Sequence, residues 1–464
     1  MKNIHIMELN RKKIYKKTII ILTLFVLVYL IASLYFMRHY FFNTSINGVD
    51  VSLKSYRKAE ELIRQSLEDF RLELQERSGE TEEITSRDIG LRYNEGIDIS
   101  DLKHKQKAYR WMNSLFKDRV NYIDELFIYD TDKLEDRLKQ LHCLNRDVTE
   151  SQNVSFRYRE NAYETVEEVY GDRVNMEKLR NTVNRKIVKG FRELNLTKEH
   201  CYEEPRYKLS SEKTKKTMAL LNQYVAAHIT YQFGDKNEIV DGKLINKWLT
   251  VDQNLDVVIS RSEVMLYIKG LSKKYDTVGV SRSFQSSTGK TVNIKGGLYG
   301  WQINQKAELE ALTEHIKSGM TIVKEPVYIR KAFSRDNEIG NTYVEINITK
   351  QQLWFYKDGK LFAQGFVVTG NPNRGNATVV GINSIIYKQK EATLTGPGYE
   401  AKVTYWMPFY GNIGLHDASW RSSFGGEIYK SRGTHGCVNL PYFLAKKIFE
   451  NIEEGTPVIV YKEE

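Results

Sequence analysis

Three cysteines, Cys143, Cys201 and Cys437, are too few to staple a chain of 464 residues. A disulfide framework is thereby excluded, and stability must come from ordinary hydrophobic cores. A single bond between Cys143 and Cys201 stays open. Prolines number only seven and no serine or glycine tract occurs, so domains joined by short connections are expected in place of flexible linkers. Outside the first 17 positions no dense basic cluster appears, which excludes a nucleic-acid-binding surface. The formal net charge of +10, from 69 Lys+Arg against 59 Asp+Glu, belongs partly to that N-terminal stub. What remains suits an anionic wall or membrane surface.

Long apolar runs are equally scarce, and the one present, Thr18 to Met37, is uncharged and about 20 residues long, enough to cross a hydrocarbon core of ~30 Å as a helix. Lys2, Arg11, Lys12, Lys13, Lys16 and Lys17 precede it and only Arg38 and His39 follow closely. That asymmetry places residues 1–17 in the cytoplasm, a transmembrane anchor at 18–37, and the rest of the chain outside, in the cell membrane facing the cell wall. A cleaved signal peptide is the competing reading. Its small-residue cleavage site is missing, because Phe36-Met37-Arg38-His39-Tyr40-Phe41-Phe42 is bulky throughout.

Chemistry is concentrated near the C-terminus, in His416 and then Ser431-Arg432-Gly433-Thr434-His435-Gly436-Cys437-Val438-Asn439. A free thiol has a pKa of ~8.5 and needs a nearby base or cation to act as a nucleophile at neutral pH. His416 can be that base. Gly436 removes side-chain bulk beside Cys437, so an acyl group can approach and the N–H groups of Gly436 and Cys437 can face a developing oxyanion. Two plainer readings compete: Cys437 as a buried structural thiol, or His416, His435 and Cys437 as zinc ligands. The second lacks a fourth ligand at zinc-like spacing. His435 and Cys437, two apart, share a face only if the segment is extended.

His416, the spacer and Thr434-His435-Gly436-Cys437-Val438-Asn439 resemble the motif of the L,D-transpeptidases, peptidoglycan enzymes with a cysteine nucleophile. Ile413-Gly414-Leu415-His416-Asp417 resembles the segment that carries the family's upstream histidine. Where the family often has Thr-Pro-x-Gly, this chain reads Thr378-Val379-Val380-Gly381. The resemblance implies a mostly β sandwich catalytic domain, Cys437 as nucleophile, His416 as base, and no cofactor or metal. It also implies an oxyanion held by Gly436 and Cys437 with help from His435, and His416 oriented by a backbone carbonyl, at Asp417 or in the Gly433 and Thr434 region. Thr434 and Asn439 are expected to hold the loop beside the substrate. Tyr405 and Trp406 either wall the substrate groove or pack behind it. The implied donor is a tetrapeptide stem of peptidoglycan, giving a 3→3 cross-link when a second stem's amine accepts and an L,D-carboxypeptidase when water does. A non-catalytic wall-binding protein is the alternative from another class.

The catalytic domain is expected at 341–464. Tyr343 to Ile348 alternates, and Gln352 to Tyr356 and Leu361 to Val368 flank Asp358-Gly359 as a hairpin. Ile382 to Tyr387 and Ala401 to Trp406 continue as strands, Tyr442 to Asn451 is the one helix, and Pro457 to Tyr461 closes the domain. Before it, two α+β domains are expected, at 44–205 and 206–335. The first opens with a strand and turn at Ile46 to Val51, then a helix over Ser55 to Leu74, a strand at Ile89 to Tyr93, and helices over Lys103 to Phe116 and Thr131 to Leu141. The second has helices over Leu209 to Ala227, Arg261 to Lys274 and Gln305 to Ser318. Tyr231 to Asp235 and Gly297 to Trp301 resemble segments of a candidate peptidoglycan-binding domain, and spacer and wall binder remain equal readings for both. The 29 tyrosines suit sugar stacking and ordinary cores alike.

Overall fold

The computed structural model describes residues 2–396 and 399–463. They form two compact units, Met1–Ser155 with Thr165–Thr214, and Phe156–Glu164 with Lys215–Glu464.

The first unit begins with the helix Lys2–Tyr35, whose part Arg11–Tyr35 is long and apolar enough to cross a membrane and is wholly unburied. It ends in an aromatic knot in which Phe36, Tyr40 and Phe41 are buried. Next come the strands Thr44–Ile46 and Val49–Asp50 around the turn at Asn47 and Gly48. The helix expected to reach Leu74 stops at Glu68. Leu72 and Leu74 recur with period two, and Arg71–Gln75 pairs as a strand between Thr81–Thr85 and Glu193–Asn195, with both leucines buried. Ser55 caps the helix by accepting from the Lys58 N–H. Ile89 to Tyr93 is likewise split, into a short helix Ser86–Ile89 and the strand Arg92–Tyr93. Lys103 to Phe116 is not one helix either: Ser100–His104 is a single α turn and Ala108–Ser114 a 3-10 turn. There Trp111 stacks on Phe36, a tertiary contact that overrides local helix propensity. Cys143 and Cys201 lie in the same buried core, yet both are free thiols, so the bond left open by the sequence is not made.

The second unit takes in Phe156–Glu164, most of the hairpin formed by the strands Ser155–Arg159 and Ala162–Val166, which sends Tyr163 into a core with Ile229, Tyr231, Trp248, Ile268 and Leu312. The expected boundary at 205 leaves this hairpin in the first domain, whereas Phe156–Glu164 belong to the second unit. His228–Phe233 pairs with Lys236–Val240 and, in parallel, with Thr321–Lys324, and the helices Arg261–Tyr275 and Gln305–Ser318 cover them. Within this part Glu308 is fully buried. It accepts from Tyr231 Oη (2.5 Å), Lys324 Nζ (2.8 Å) and the Val327 N–H (2.6 Å), so the buried carboxylate is itself fully paired.

Among the described residues the C-terminal part has nine strands, numbered here β1 (Tyr343–Asn347), β2 (Gln352–Lys357), β3 (Lys360–Phe366), β4 (Gly381–Ser384), β5 (Gln389–Gly396), β6 (Tyr399–Tyr410), β7 (Ile413–Asp417), β8 (Val438–Leu440) and β9 (Pro457–Tyr461). One sheet has the order β3-β2-β1-β9-β4 and the other β5-β6-β7-β8. The β2–β3 hairpin turns at Asp358 and Gly359, both with positive φ, as the Asp-Gly signal requires. Both sheets contribute to one core, in which Val344, Ile346, Val458 and Val460 meet Met407, Phe409, Leu415 and Val438. Beside the expected helix Tyr442–Phe449 there is a second, short one, Ile428–Arg432.

A further core joins the preceding segment to the outer side of the first sheet: Phe284, Ile294, Tyr299 and Trp301 pack with Ile382, Ile459 and Tyr461. Gly297 makes this approach possible. Its φ is +90°, and a Cβ there would lie 2.0 Å from the Ile382 carbonyl oxygen.

Candidate active site

His416 sits on β7 and Cys437 immediately before β8. These strands are parallel neighbours, with Leu415 opposite Val438 and His416 opposite Asn439. Parallel pairing thus brings together residues 21 apart in sequence, and His416, Cys437 and Asn439 line one cavity of about 530 Å³. Thr434 and His435 line it too, as do Trp420 and Arg421.

His416 is 4% exposed. Its Nδ1 lies 2.8 Å from the backbone carbonyl of Asp417, which fixes the ring N–H on Nδ1 and leaves Nε2 as the basic nitrogen. Of the two orienting regions expected, the Asp417 carbonyl is the one used. The Asp417 carboxylate is engaged elsewhere, accepting from the N–H groups of Thr404 (2.8 Å) and Tyr405 (2.7 Å). Burial pushes the His416 pKa below its ordinary value, only partly opposed by the bond to Asp417, so the imidazole is neutral at pH 7. Burial also pushes the Cys437 thiol up, against a backbone hydrogen bond from Gly414 that favours the thiolate. Its Sγ donates to the Asn412 carbonyl at 3.6 Å. The resting state is therefore a neutral thiol beside a neutral base.

The turn into Cys437 is pinned on both sides. Thr434 Oγ1 accepts from the Gly436 N–H (3.0 Å) and donates to the Cys437 carbonyl (2.5 Å). This corrects one expectation: the Gly436 N–H is already bonded and does not face an oxyanion. Thr378 Oγ1 accepts from the Gly370 N–H (2.9 Å) and donates to the Gly436 carbonyl (2.8 Å). Gly436 itself has φ +125°, with Ile413 Cδ1 3.0 Å from where a Cβ would stand, so the segment is not extended between His435 and Cys437. Asn439 exchanges backbone hydrogen bonds with Val368, and its buried side-chain oxygen has no protein partner among the described residues.

Tyr405 and Trp406 do not line this cavity. As neighbours on β6 they point to opposite faces. Tyr405 enters the core between the sheets and packs on Phe449, so its groove-wall reading is set aside. Trp406 is buried behind the site, 6.0 Å from the His416 ring, with its indole N–H on Tyr387 Oη. Trp420, half exposed and lining the cavity, also stands 6.0 Å from the His416 ring. Trp420, Arg421 and Thr378 are site residues that sequence reasoning did not single out as such. The only signal for the first two was their position a few residues past His416.

Loss of the Thr378 hydroxyl in Thr378→Val keeps the side-chain volume but strands the buried Gly370 N–H. It is expected to destabilise the fold by about 1–3 kcal/mol and to lower kcat, because the peptide before Cys437 loses its anchor. Urea unfolding and steady-state turnover check both effects.

Residues 341–460 match the family model of the L,D-transpeptidase catalytic domain, and residues 207–323 match the one described as "Putative peptidoglycan binding domain". A mutant of the Enterococcus faecium L,D-transpeptidase is 31% identical over 53% of this chain and 100% of that chain (TM-score 0.44). The catalytic domain of the E. faecium enzyme, solved by NMR, is 37% identical over 27% of this chain and 100% of that chain (TM-score 0.25). An L,D-transpeptidase from Stackebrandtia nassauensis is 33% identical over 26% of this chain and 55% of its own (TM-score 0.23). The comparison with curated proteins gave no match. The motif around Cys437, the two family models and the 31% identity over the whole of the solved enterococcal chain agree, and the chain belongs to the L,D-transpeptidase family.

Proposed function

We propose that this protein is a membrane-anchored L,D-transpeptidase that forms 3→3 cross-links in peptidoglycan through a Cys437 acyl-enzyme. The observation that carries the reading is a buried His416, with Nδ1 held by the Asp417 carbonyl, in the same cavity as Cys437. Cys437 attacks the carbonyl of the third residue of a tetrapeptide stem while His416 Nε2 takes the thiol proton. His416 returns a proton to the departing D-alanine amine; the side-chain amine of a second stem then attacks the thioester, gives a proton to His416 as the C–S bond breaks, and His416 passes that proton to the Cys437 thiolate. The Cys437 N–H takes the oxyanion, with His435 at the cavity edge. Thr434 and Thr378 hold the turn, and the Asn439 side-chain oxygen is available to a substrate N–H. Two sheets sharing one core support reading residues 341–464 as the family's mostly β sandwich.

The family match over 207–323 supports a wall-binding role for residues 206–335, and the same role is proposed for 44–205. Residues 18–37 would anchor the chain with 1–17 in the cytoplasm and the catalytic part facing the wall; peptidoglycan is the partner. The test is incubation of the full chain in detergent with disaccharide-tetrapeptide, followed by mass spectrometry of protein and products. An acyl-enzyme and a cross-linked dimer are expected, and Cys437→Ala should give neither. A tripeptide as the sole product would assign the water reaction instead, and turnover by Cys437→Ala above a tenth of wild type would remove the nucleophile assignment.

A further inference from the structure

Where the N-terminal helix leaves the first unit, one surface of that unit stays apolar and open. The 3-10 turn Ala108–Ser114 lies along the helix: Tyr29 Oη donates to the Tyr109 carbonyl at 2.6 Å, and the Trp111 ring sits 6.1 Å from Tyr29 and 5.8 Å from Phe36. Tyr29 is not at the end of the apolar run. The helix continues six residues further, to Tyr35, which at 1.5 Å per residue is about 9 Å. A run that fills the hydrocarbon core therefore carries this turn into the outer leaflet with it.

The turn's side chains fit that depth. Tyr109 is 54% exposed, Met112 52%, Leu115 39% and Phe116 94%, although unit 1 has a large core in which to bury such groups. Around them stand Lys105, Lys107, Arg110 and Lys117, all exposed, against one carboxylate, Asp118. The turn also bonds internally, with the Arg110 N–H on the Lys107 carbonyl, the Leu115 N–H on the Met112 carbonyl and Ser114 Oγ on the Trp111 carbonyl. Backbone seated in lipid needs such internal partners. Long cationic side chains beside it reach back to the headgroups while their stems stay in the apolar layer.

We propose that residues 105–117 are a second membrane contact, whose apolar tips enter the outer leaflet beside the helix and whose cations engage anionic lipid headgroups. This rests on the reading of residues 18–37 as a membrane span. Its occupant is the bilayer, because the patch continues the unburied apolar surface of the helix itself. Seated this way, the first unit is held to the membrane at two points and cannot swing about the helix end.

The test uses the full chain, with Cys437→Ser to leave one reactive thiol per variant, reconstituted into vesicles of phosphatidylcholine and phosphatidylglycerol. A nitroxide is attached to Phe116→Cys, to Leu27→Cys as the span reference, and to Lys139→Cys as the water reference. The ratio of oxygen to nickel relaxation at 116 is expected to exceed that at 139 and to approach that at 27. A water-like ratio at 116 beside a lipid-like ratio at 27 would overturn the proposal and leave the anchor intact. A water-like ratio at 27 would overturn the anchor, and the proposal with it. Dipolar broadening at 116 that grows with protein-to-lipid ratio would assign the patch to a second copy of the chain, which also overturns it.

Discussion

His416→Ala should lose about 10²- to 10⁴-fold in turnover at pH 7, the usual contribution of a positioned general base. Its iodoacetamide profile should show why. In wild type the thiol is neutral and His416 takes its proton during attack, so alkylation persists until the imidazole is protonated. Burial depresses that pKa, and the acid limb is expected below the ordinary histidine value of ~6.5. Without the imidazole only free thiolate reacts. Since burial also raises the Cys437 pKa, the limb should move above ~8.5, and activity should return in part at alkaline pH. Cys143 and Cys201 will not blur the measurement: both are buried, and burial pushes the Cys143 thiol up to about 12. His435→Ala should lower the rate while keeping the wild-type limb. A profile shifted by His435→Ala and unmoved by His416→Ala would reverse the two roles.

Glu308→Ala is expected to destabilise the second unit by about 3–5 kcal/mol, the range found when one partner of a buried ion pair is removed. Lys324, with its side chain 14% exposed, would keep a charge with no counter-charge at 2.8 Å. Tyr231 Oη and the Val327 N–H would lose their acceptor in the same step. Glu308→Gln keeps an acceptor oxygen and should fall between. Urea unfolding of the full chain in detergent, followed by tyrosine and tryptophan fluorescence, reads both; an unchanged midpoint in Glu308→Ala would show that the network carries no net stability.

The sequence announced the catalytic segment because its chemistry is local: base, glycine and thiol stand within 22 residues, and parallel pairing of β7 with β8 needs only that short connection. The Asp358-Gly359 hairpin and the helix Gln305–Ser318 were legible for the same reason, since turn chemistry and helical period act over a few residues. What escaped depends on partners far along the chain. Nothing near Thr378 says that its hydroxyl ties Gly370 to Gly436, 58 residues onward from Thr378. Whether Tyr405 and Trp406 wall the groove or pack behind it turned on the pleat of β6, and neither lines the cavity. The expected helix over Ser55 to Leu74 ran into a strand because the apolar spacing changes from 3.6 to 2 at Phe70, and a pattern count that starts in the helix does not see the switch.

The core in which Tyr299 and Trp301 meet Ile382, Ile459 and Tyr461 also bears on ancestry. A catalytic half moved alone into another protein would arrive with a raw apolar side, and a new neighbour would have to offer both matching bulk and a bare backbone where Gly297 touches Ile382. Substitutions at Tyr299 or Trp301 should be accepted during divergence mainly when Ile382 or Ile459 changes with them, so that the pair is inherited as one piece.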